Sequence, residues 1–584
     1  MKVIKRLAQC VREYKKASVL TPVFVSFEVL IEVLMPLIIV YFGQAIRNGD
    51  VKMMVMRGVA LLVLAPLSLT FGFLSGKQCA VASCGFAKNL RKDLFASVQN
   101  FSFSNIDRFS TSSLVTRLTT DVSNVQMAYM MLIRIAVRCP LMLVSSVIMS
   151  FCISWKLAMI FVVLVPVLGF ALYLIIRKAM PLFDSVFKKY DKLNNSIQEN
   201  VRAMRVVKAY VREDYETEKF DKAAEEVCVD FTRAEKIVAL NNPVVSFSMY
   251  LTMILISFIG AKLIISCGGV GLNTESLSSM LTYSMQVLMS LVTVSMIFVM
   301  LTMSATSAKR ICEVLEEKSD IVNPENPVRE VKDGSIDFDN VSFKYSSSAE
   351  KYALEGVGLH IRSGETVGII GGTGSSKSTL VNLITRLYDV SVGSVRVGGV
   401  DVREYDLEVL RDSVAVVLQK NVLFSGTIAE NLRWGNQNAT DEQLEEACRL
   451  AQADEFIRSF PDGYQTYIEQ GGTNVSGGQK QRLCIARALL KEPKVLVLDD
   501  STSAVDTKTD ALIRQGMKKY IPETTKIIIA QRISSVQDAD KIVVMDQGTI
   551  NGVGTHEELL KTNEIYREVY EIQNRISAPG GENK

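Results

Sequence analysis

The chain has 584 residues, 48% hydrophobic and 22% charged, with a formal net charge of +3 and only two histidines. That near-neutral balance excludes a basic nucleic-acid binder, and so apolar a composition excludes a disordered chain. A mean hydropathy of +0.21 is high for a soluble protein carrying this much charge, so the average combines a membrane-embedded part with a charged, water-soluble one.

In chain order, the first signal is a series of long apolar stretches. Between Arg138 and Arg177 the only charged residue is Lys156, and between Lys236 and Lys309 the only ones are Lys262 and Glu275. A bilayer-spanning helix needs about 20 mostly apolar residues, because every backbone polar group must be satisfied within it. The sequence predicts six spans, at about 19–45, 57–80, 127–153, 155–177, 237–266 and 276–305. The first begins among charges and is too long for a cleaved signal peptide ahead of a soluble domain. Lysine and arginine crowd the N-terminus and the segments 81–126 and 178–236, whereas 154–156 and 266–276 are nearly bare. This bias predicts that both termini and both long segments are cytoplasmic. Apolar residues at helical spacing over 87–98 and 186–226 predict that the span helices continue into the cytoplasm.

Ionisable residues inside spans need partners. Glu28 and Glu32 in span one and Arg134 and Arg138 in span three each lie at i, i+4 on one helix face. At about 1.5 Å per residue the two pairs reach similar depth. They read either as ion pairs joining the helices or as substrate contacts as well. Met285, Met289, Met296, Met300 and Met303 follow one face of span six, which suits packing or an adaptable cavity for varied apolar ligands. Ten cysteines show no C-x-x-C pair and no framework spacing, which predicts reduced thiols and neither disulfides nor zinc ligands.

Four segments are therefore expected: a transmembrane domain over 1–313, a charged linker over 314–334 with prolines that discourage a continuous helix, a soluble domain over 335–575, and a disordered tail over 576–584. In the soluble part, short β-branched runs at 366–370, 414–418, 495–498, 526–529 and 542–545 alternate with helical segments, the pattern of an α/β domain with a buried sheet. After the run 366–370 comes Gly371-Gly372-Thr373-Gly374-Ser375-Ser376-Lys377-Ser378-Thr379, followed by a helical segment over 380–388. The placement fits a phosphate-binding loop. Backbone N–H groups and a helix N-terminus cradle anionic oxygens, Lys377 reaches the outer phosphates, and the Ser378 hydroxyl can ligate magnesium. The motif expects glycine where this chain has Ser376, but a serine N–H still donates and a small side chain is tolerated in a first helical turn. A further apolar run ends in Asp499-Asp500, where the first acid can hold the magnesium shell through water. The segment Val475-Ser476-Gly477-Gly478-Gln479 lies shortly before it.

The order of phosphate loop, Gln419 after a strand, Ser-Gly-Gly-Gln, double acid, Ser503-Ala504-Val505-Asp506 and a polar residue closing the run 526–530 resembles an ATP-binding cassette (ABC) domain. With six spans fused ahead of it, nearly the whole chain resembles an ABC exporter half-transporter of the multidrug type. That excludes a soluble cassette ATPase of translation or DNA repair. The fold class implied is a membrane α-helical domain with long cytoplasmic extensions, fused to a soluble α/β nucleotide-binding domain. The resemblance also implies site roles: Tyr345 stacks on adenine, Gln419 joins the magnesium shell and senses the γ-phosphate, and Asp506 lies in the loop after the double acid. Residues 424–431 receive transmembrane loops, whose coupling helices fall near 104–113 and 211–220. Two cassettes bind head to tail in this family, each ATP held between one phosphate loop and the other chain's Ser-Gly-Gly-Gln.

The pattern breaks at two positions. A competent cassette has a glutamate that orients the attacking water and a histidine that contacts the γ-phosphate. Here these are Asp500 and Gln531. Aspartate is shorter by roughly 1.5 Å of reach, a misplacement that costs about 10²-fold. Glutamine carries no positive charge. His360, in an early strand, and His556, near the end, are not placed to substitute. The expectation is that this chain binds ATP and Mg2+ firmly and hydrolyses slowly, as the degenerate half of a bacterial heterodimeric exporter. A homologous partner would supply the glutamate and histidine and use this chain's 475–479 segment. A slow homodimeric exporter and an ATP-gated membrane switch are the alternatives. The substrate expected is a hydrophobic or amphipathic small molecule crossing the cytoplasmic membrane. A processing peptide exporter is disfavoured, because no peptidase segment precedes span one.

Overall fold

The computed structural model describes residues 2–266, 272–346, 349–501 and 505–577. Residues 578–584 of the expected tail, the Ser503-Ala504 part of the motif and most of the fifth-to-sixth span loop lie outside them, while 576–577, also assigned to the tail, end the helix Glu564–Ser577. The chain forms two compact units. One comprises Met1–Gln99 and Ser110–Glu317, the other Asn100–Phe109 and Lys318–Lys584.

Among the described residues of the first unit, six helices are long and apolar enough to cross a membrane. Between 11% and 39% of each apolar window is buried, so most of that surface faces outward, as contact with lipid tails requires. Several helices far outrun a bilayer. Val51–Gln99 has 49 residues and Trp155–Arg202 has 48, or about 70 Å at the α-helical rise. Their later turns are the polar extensions read from 87–98 and 186–226. Span one, Lys15–Arg47, contains Pro22 and Pro36, each of which removes a helical donor. Span six, Thr274–Glu316, supplies hydrogen bonds at the second break. Ser279 Oγ donates to the Pro36 carbonyl at 2.8 Å, and the buried Tyr283 hydroxyl donates to the Val33 carbonyl at 2.7 Å.

The four ionisable residues of spans one and three do not form two parallel pairs. Arg138 takes both carboxylates, Nη1 reaching Glu28 Oε1 at 2.7 Å and Nη2 reaching Glu32 at 2.8 and 2.9 Å. Arg134 interrupts its helix, since Val122–Ile133 ends before it and Ile135–Ile153 starts after it. Its Nη2 approaches the Gly72 carbonyl at 3.5 Å, and among the described residues it pairs with no carboxylate. Equal spacing and depth therefore do not decide partnership. The break at Arg134 turns its side chain toward Gly72 and Gly76 of the neighbouring span, where a Cβ on Gly76 would lie 3.4 Å from Nη1.

The segment 211–220, expected as a short helix, instead opens a long one. A short helix, Met204–Ala209, comes earlier, and the long helix Glu213–Val238 follows a turn in which Val211 is left-handed, with φ of 52°. Glu213, Asp214 and Glu216 fill the first turn of that long helix, where acidic side chains favour a start. The linker expected from 314 is helical to Glu316 and irregular beyond it.

In the second unit, a six-stranded sheet carries five adjacent parallel strands, Lys541–Asp546 at one side followed by four that lead to the site, Thr366–Gly371, Thr525–Ile529, Val495–Asp499 and Val414–Val417. The middle two of these four are buried throughout, so they read as continuous apolar runs with no alternation. An antiparallel sheet built on Ile336–Phe343 and Leu354–Ile361 shares a core with one face of it. The helix after the phosphate loop is Lys377–Ile384. It starts earlier than the run 380–388 and stops sooner, because the chain turns left-handed at Arg386 with φ of 50°.

Arg138→Ala leaves Glu28 and Glu32 without their shared counter-charge and lowers stability by about 3–5 kcal/mol. Thermal unfolding of the full-length chain in detergent reads this as a large fall in midpoint, against an unchanged midpoint for Arg134→Gln. Equal falls would contradict the assignment of the pairs.

Candidate functional site

The carboxyl ends of the four parallel strands converge. Gly371 closes one strand and opens the phosphate loop. A Cβ there would sit 2.2 Å from the Met545 carbonyl oxygen, so only glycine fits. Gly372, Thr373 and Gly374 are exposed, whereas Ser375 is buried. Lys377 folds back over the loop, its Nζ donating to the Gly371 and Gly372 carbonyls at 2.8 Å each and to Ser375 Oγ at 3.1 Å. Burial pushes its ammonium below the usual lysine range against the pull of Asp499 and Asp500.

Ser376 corrects one expectation. It is not in the first helical turn but caps it in the left-handed region, φ 69° and ψ 25°. Glycine is expected there because that backbone costs an L-residue about 1–2 kcal/mol, and not because of crowding. The next residues point into the site. Thr379 Oγ1 shares a 2.9 Å hydrogen bond with the Tyr345 hydroxyl. The half-exposed Tyr345 ring stands edge-on to Phe343 at 4.9 Å and to Tyr388 at 5.2 Å. Tyr388, which the sequence gave no reason to select, also receives the short helix Phe103–Phe109, its hydroxyl donating to Asp107 Oδ2 at 2.7 Å.

Asp499 ends its strand buried. Burial pushes its carboxyl above the usual range, opposed by a hydrogen bond from the Ser378 hydroxyl, while Asp500 adds to the rise and Lys377 lowers it. One buried carboxylate, one hydroxyl and the side-chain oxygen of Gln419 make a sparse set of hard oxygen donors. No cluster of three acidic, histidine or cysteine ligands occurs among the described residues. That set fits Mg2+, which takes one or two carboxylates and leaves its other positions to phosphate and water.

Asp500 is left-handed, φ 47°, and one of its oxygens, Oδ2, accepts from both carboxamides of the site, Gln531 Nε2 at 2.8 Å and Gln419 Nε2 at 3.1 Å. The Gln531 carbonyl in turn accepts from Gln573 Nε2 at 2.8 Å, and Gln573 Oε1 receives the Ile533 N–H at 2.9 Å. A residue of the last helix thus fixes that loop, a contact with no local signal in the sequence. The two histidines are elsewhere. His360 pairs with Asp337, and His556 Nδ1 meets the Tyr566 hydroxyl at 2.7 Å in local packing.

The Ser-Gly-Gly-Gln segment starts the helix Gly477–Leu489 after Val475. Ser476 Oγ accepts from the Gln479 N–H and Gln479 Oε1 accepts from the Ser476 N–H, a reciprocal capping box visible as Ser-x-x-Gln in the sequence. Gly477 and Gly478 fill the first turn. Asp506 caps the helix Thr507–Tyr520 in the same manner, accepting from Thr509 N–H at 2.9 Å. Phe424 stacks on Trp434 at 4.1 Å beside a groove of about 330 Å3, and Asn431 bonds both backbone groups of Phe424.

Residues 20–316 match the family described as ABC transporter transmembrane region, and residues 354–503 the one described as ABC transporter. The chain belongs to the ABC transporter family. It is 36% identical over 547 residues to the ABC transporter ATP-binding protein YfiB of Bacillus subtilis, covering 94% of each. It is 34% identical over 581 residues to the ABC transporter ATP-binding protein Rv1273c of Mycobacterium tuberculosis, covering 98% of this chain and 99% of that one. A solved bacterial Atm1-family ABC exporter with ATP bound shares its fold, with a TM-score of 0.81 at 23% identity over 98% of this chain and 99% of the other. This ABC transporter chain is thus a half-transporter, a membrane protein carrying one transmembrane region and one ATPase domain.

Ser376→Gly relieves the left-handed cap and stabilises the full-length transporter by up to about 1 kcal/mol, whereas Ser376→Val destabilises it by more than that. Urea unfolding followed in the nucleotide unit measures both. A loss of stability in the glycine variant would contradict the strain.

Proposed function

We propose that this chain is the degenerate-site half of a heterodimeric ABC exporter. It couples ATP to export of a hydrophobic or amphipathic small molecule across the cytoplasmic membrane, with its termini and nucleotide unit in the cytoplasm. The observation that carries the reading is the state of Asp500. Its carboxylate is one methylene short of the glutamate position, and two carboxamides occupy the oxygen that would otherwise hold a water. Gln531 donates to that oxygen where the family has a histidine, and no cationic side chain takes its place. Such a site can hold ATP, because Lys377, Tyr345 and all of its phosphate loop but Ser376 are kept, but it lacks both a base of the right reach and the second γ-phosphate contact that a histidine would give.

The binding roles follow from position. Backbone N–H groups over Gly372–Ser378 and the Lys377 ammonium hold the phosphates, and Tyr345 presents its ring to adenine. Ser378, Gln419 and, through water, Asp499 hold Mg2+, whose charge offsets that of the phosphates. Val475, Ser476, Gly477, Gly478 and Gln479 form an ordered donor surface for the ATP of a homologous partner, which supplies the glutamate and histidine missing here. Asp506 lies beside that interface. Substrates of the multidrug type suit the apolar first unit.

Asp500→Glu together with Gln531→His is expected to raise hydrolysis at this chain's own site by about 10²-fold. The double variant and the unaltered chain are compared for phosphate release at saturating MgATP. Vigorous hydrolysis by the unaltered chain purified alone as a homodimer would overturn the proposal in favour of a homodimeric exporter.

A further inference from the structure

The first unit holds a cavity of about 560 Å3 between the broken span three and span six. Its apolar wall is largely thioether, from Met130, Met142, Met285 and Met289. Only the first two residues of the predicted methionine stripe take part, and Met296, Met300 and Met303 line no part of it. Its charged wall is Arg134 and Arg138, and no carboxylate lines it. Gln286, also in the wall, already accepts from Ser146 Oγ at 2.9 Å.

The two arginines differ in what they still need. Arg138 is saturated by Glu28 and Glu32. Arg134 keeps its guanidinium at the cavity with only the 3.5 Å approach to the Gly72 carbonyl. A guanidinium does not shed its proton, and at membrane depth its charge needs a partner with acceptor atoms in fork geometry. The glycine at 76 leaves room for the group to stay at the edge of the cavity, since a Cβ there would crowd it, whereas a Cβ on Gly72 would meet the Glu28 carboxylate. Four methionines give the rest of the wall a polarizable lining that adapts to the shape of an apolar body.

We infer that this cavity binds an anionic amphiphile: an apolar body against the methionines, with one carboxylate, sulfonate or phosphate head on Arg134. The inference rests on the export reading above and narrows its substrate class from amphipathic molecules in general to acidic ones. A cavity of this size is in the range of small-molecule sites, about 300–1,000 Å3. Arg134 is then the residue that selects the head group, while Arg138 serves the fold.

The test uses the full-length chain, with its partner subunit where one co-purifies, in nanodiscs of neutral phosphatidylcholine without ATP. The probes are dansylamino-undecanoic acid and its methyl ester, which share a body and differ in the head. Dansyl fluorescence, corrected against empty nanodiscs, gives each affinity. The acid is expected to bind about 10-fold or more tightly than the ester. Arg134→Gln removes that preference without changing ester binding or the thermal midpoint, and Arg134→Lys restores part of it. Equal affinity for acid and ester overturns the inference, as does a preference that survives Arg134→Gln. If the partner's side chains fill the cavity instead, neither probe binds and Arg134→Gln lowers the midpoint of the assembly, which overturns it too. ATP-driven uptake into inside-out vesicles separates the two claims. Uptake of a cationic rhodamine dye but not of the acid leaves export standing and refutes the acidic assignment, whereas acid-selective binding with no uptake of either supports the assignment and counts against export.

Discussion

The alignment of four neighbouring parallel strands is the constraint on which the nucleotide site depends. Ile529 lies opposite both Asp499 and Ile369, so the strand ends are level and every loop that leaves them opens on the same edge of the sheet. The phosphate loop, Gln531, the Asp499–Asp500 pair and Gln419 meet there although they are far apart in the chain. Ligands gather at the carboxyl ends of parallel strands for this reason. The buried apolar strands carry the stability, and the residues just beyond them carry the chemistry. Aspartate for glutamate and glutamine for histidine therefore alter the reaction while leaving the sheet untouched. The same separation allows Asp500 to sit in a left-handed conformation, held by its neighbours, where the strand has already ended.

The first unit obeys a different rule, set by lipid. Polar groups inside a span have no water to turn to, so most find a protein partner, although among the described residues Glu28 Oε2 and Ser75 Oγ are buried without one. Ser279 and Tyr283 of span six donate to carbonyls at the second proline of span one, and the two glutamates of span one share one arginine of span three. Against that background Arg134 is the exception, a permanent charge at a cavity wall whose hydrogen bond is a long one to a backbone carbonyl and which pairs with no carboxylate among the described residues. In the nucleotide unit the exception is Ser376, an L-residue in a glycine conformation. Both departures from local rules lie where a ligand is expected, one at a phosphate cradle and one at a membrane cavity.

What the sequence reveals follows from how local each signal is. Six spans are legible because hydropathy over about 20 residues needs no tertiary context. The helix cap at Ser476 and Gln479 is legible because its two partners are three residues apart, and the order of motifs identifies the cassette. Partnership across helices is not legible. Glu28, Glu32, Arg134 and Arg138 have the spacing of two matched pairs, yet a helix break at Arg134 sends both carboxylates to Arg138. The turn before the long helix Glu213–Val238 is not legible, because Val211 takes a conformation that its β-branched side chain disfavours. Tyr388 and Gln573 act through contacts with residues distant in the chain, and neither belongs to a motif. Ser376 stands out as a departure from the motif, but its consequence, backbone strain, emerges only with the φ angle.

The central claim is that this chain retains ATP that its own site does not cleave. The direct measurement is the fate of the γ-phosphate on each subunit of the purified complex during turnover. Photoreactive azido-ATP labelled at the α or the γ position is cross-linked, and the subunits are separated. The account predicts that this chain carries both labels while its partner keeps the α label and loses the γ. Loss of the γ label from this chain at the partner's rate would contradict it.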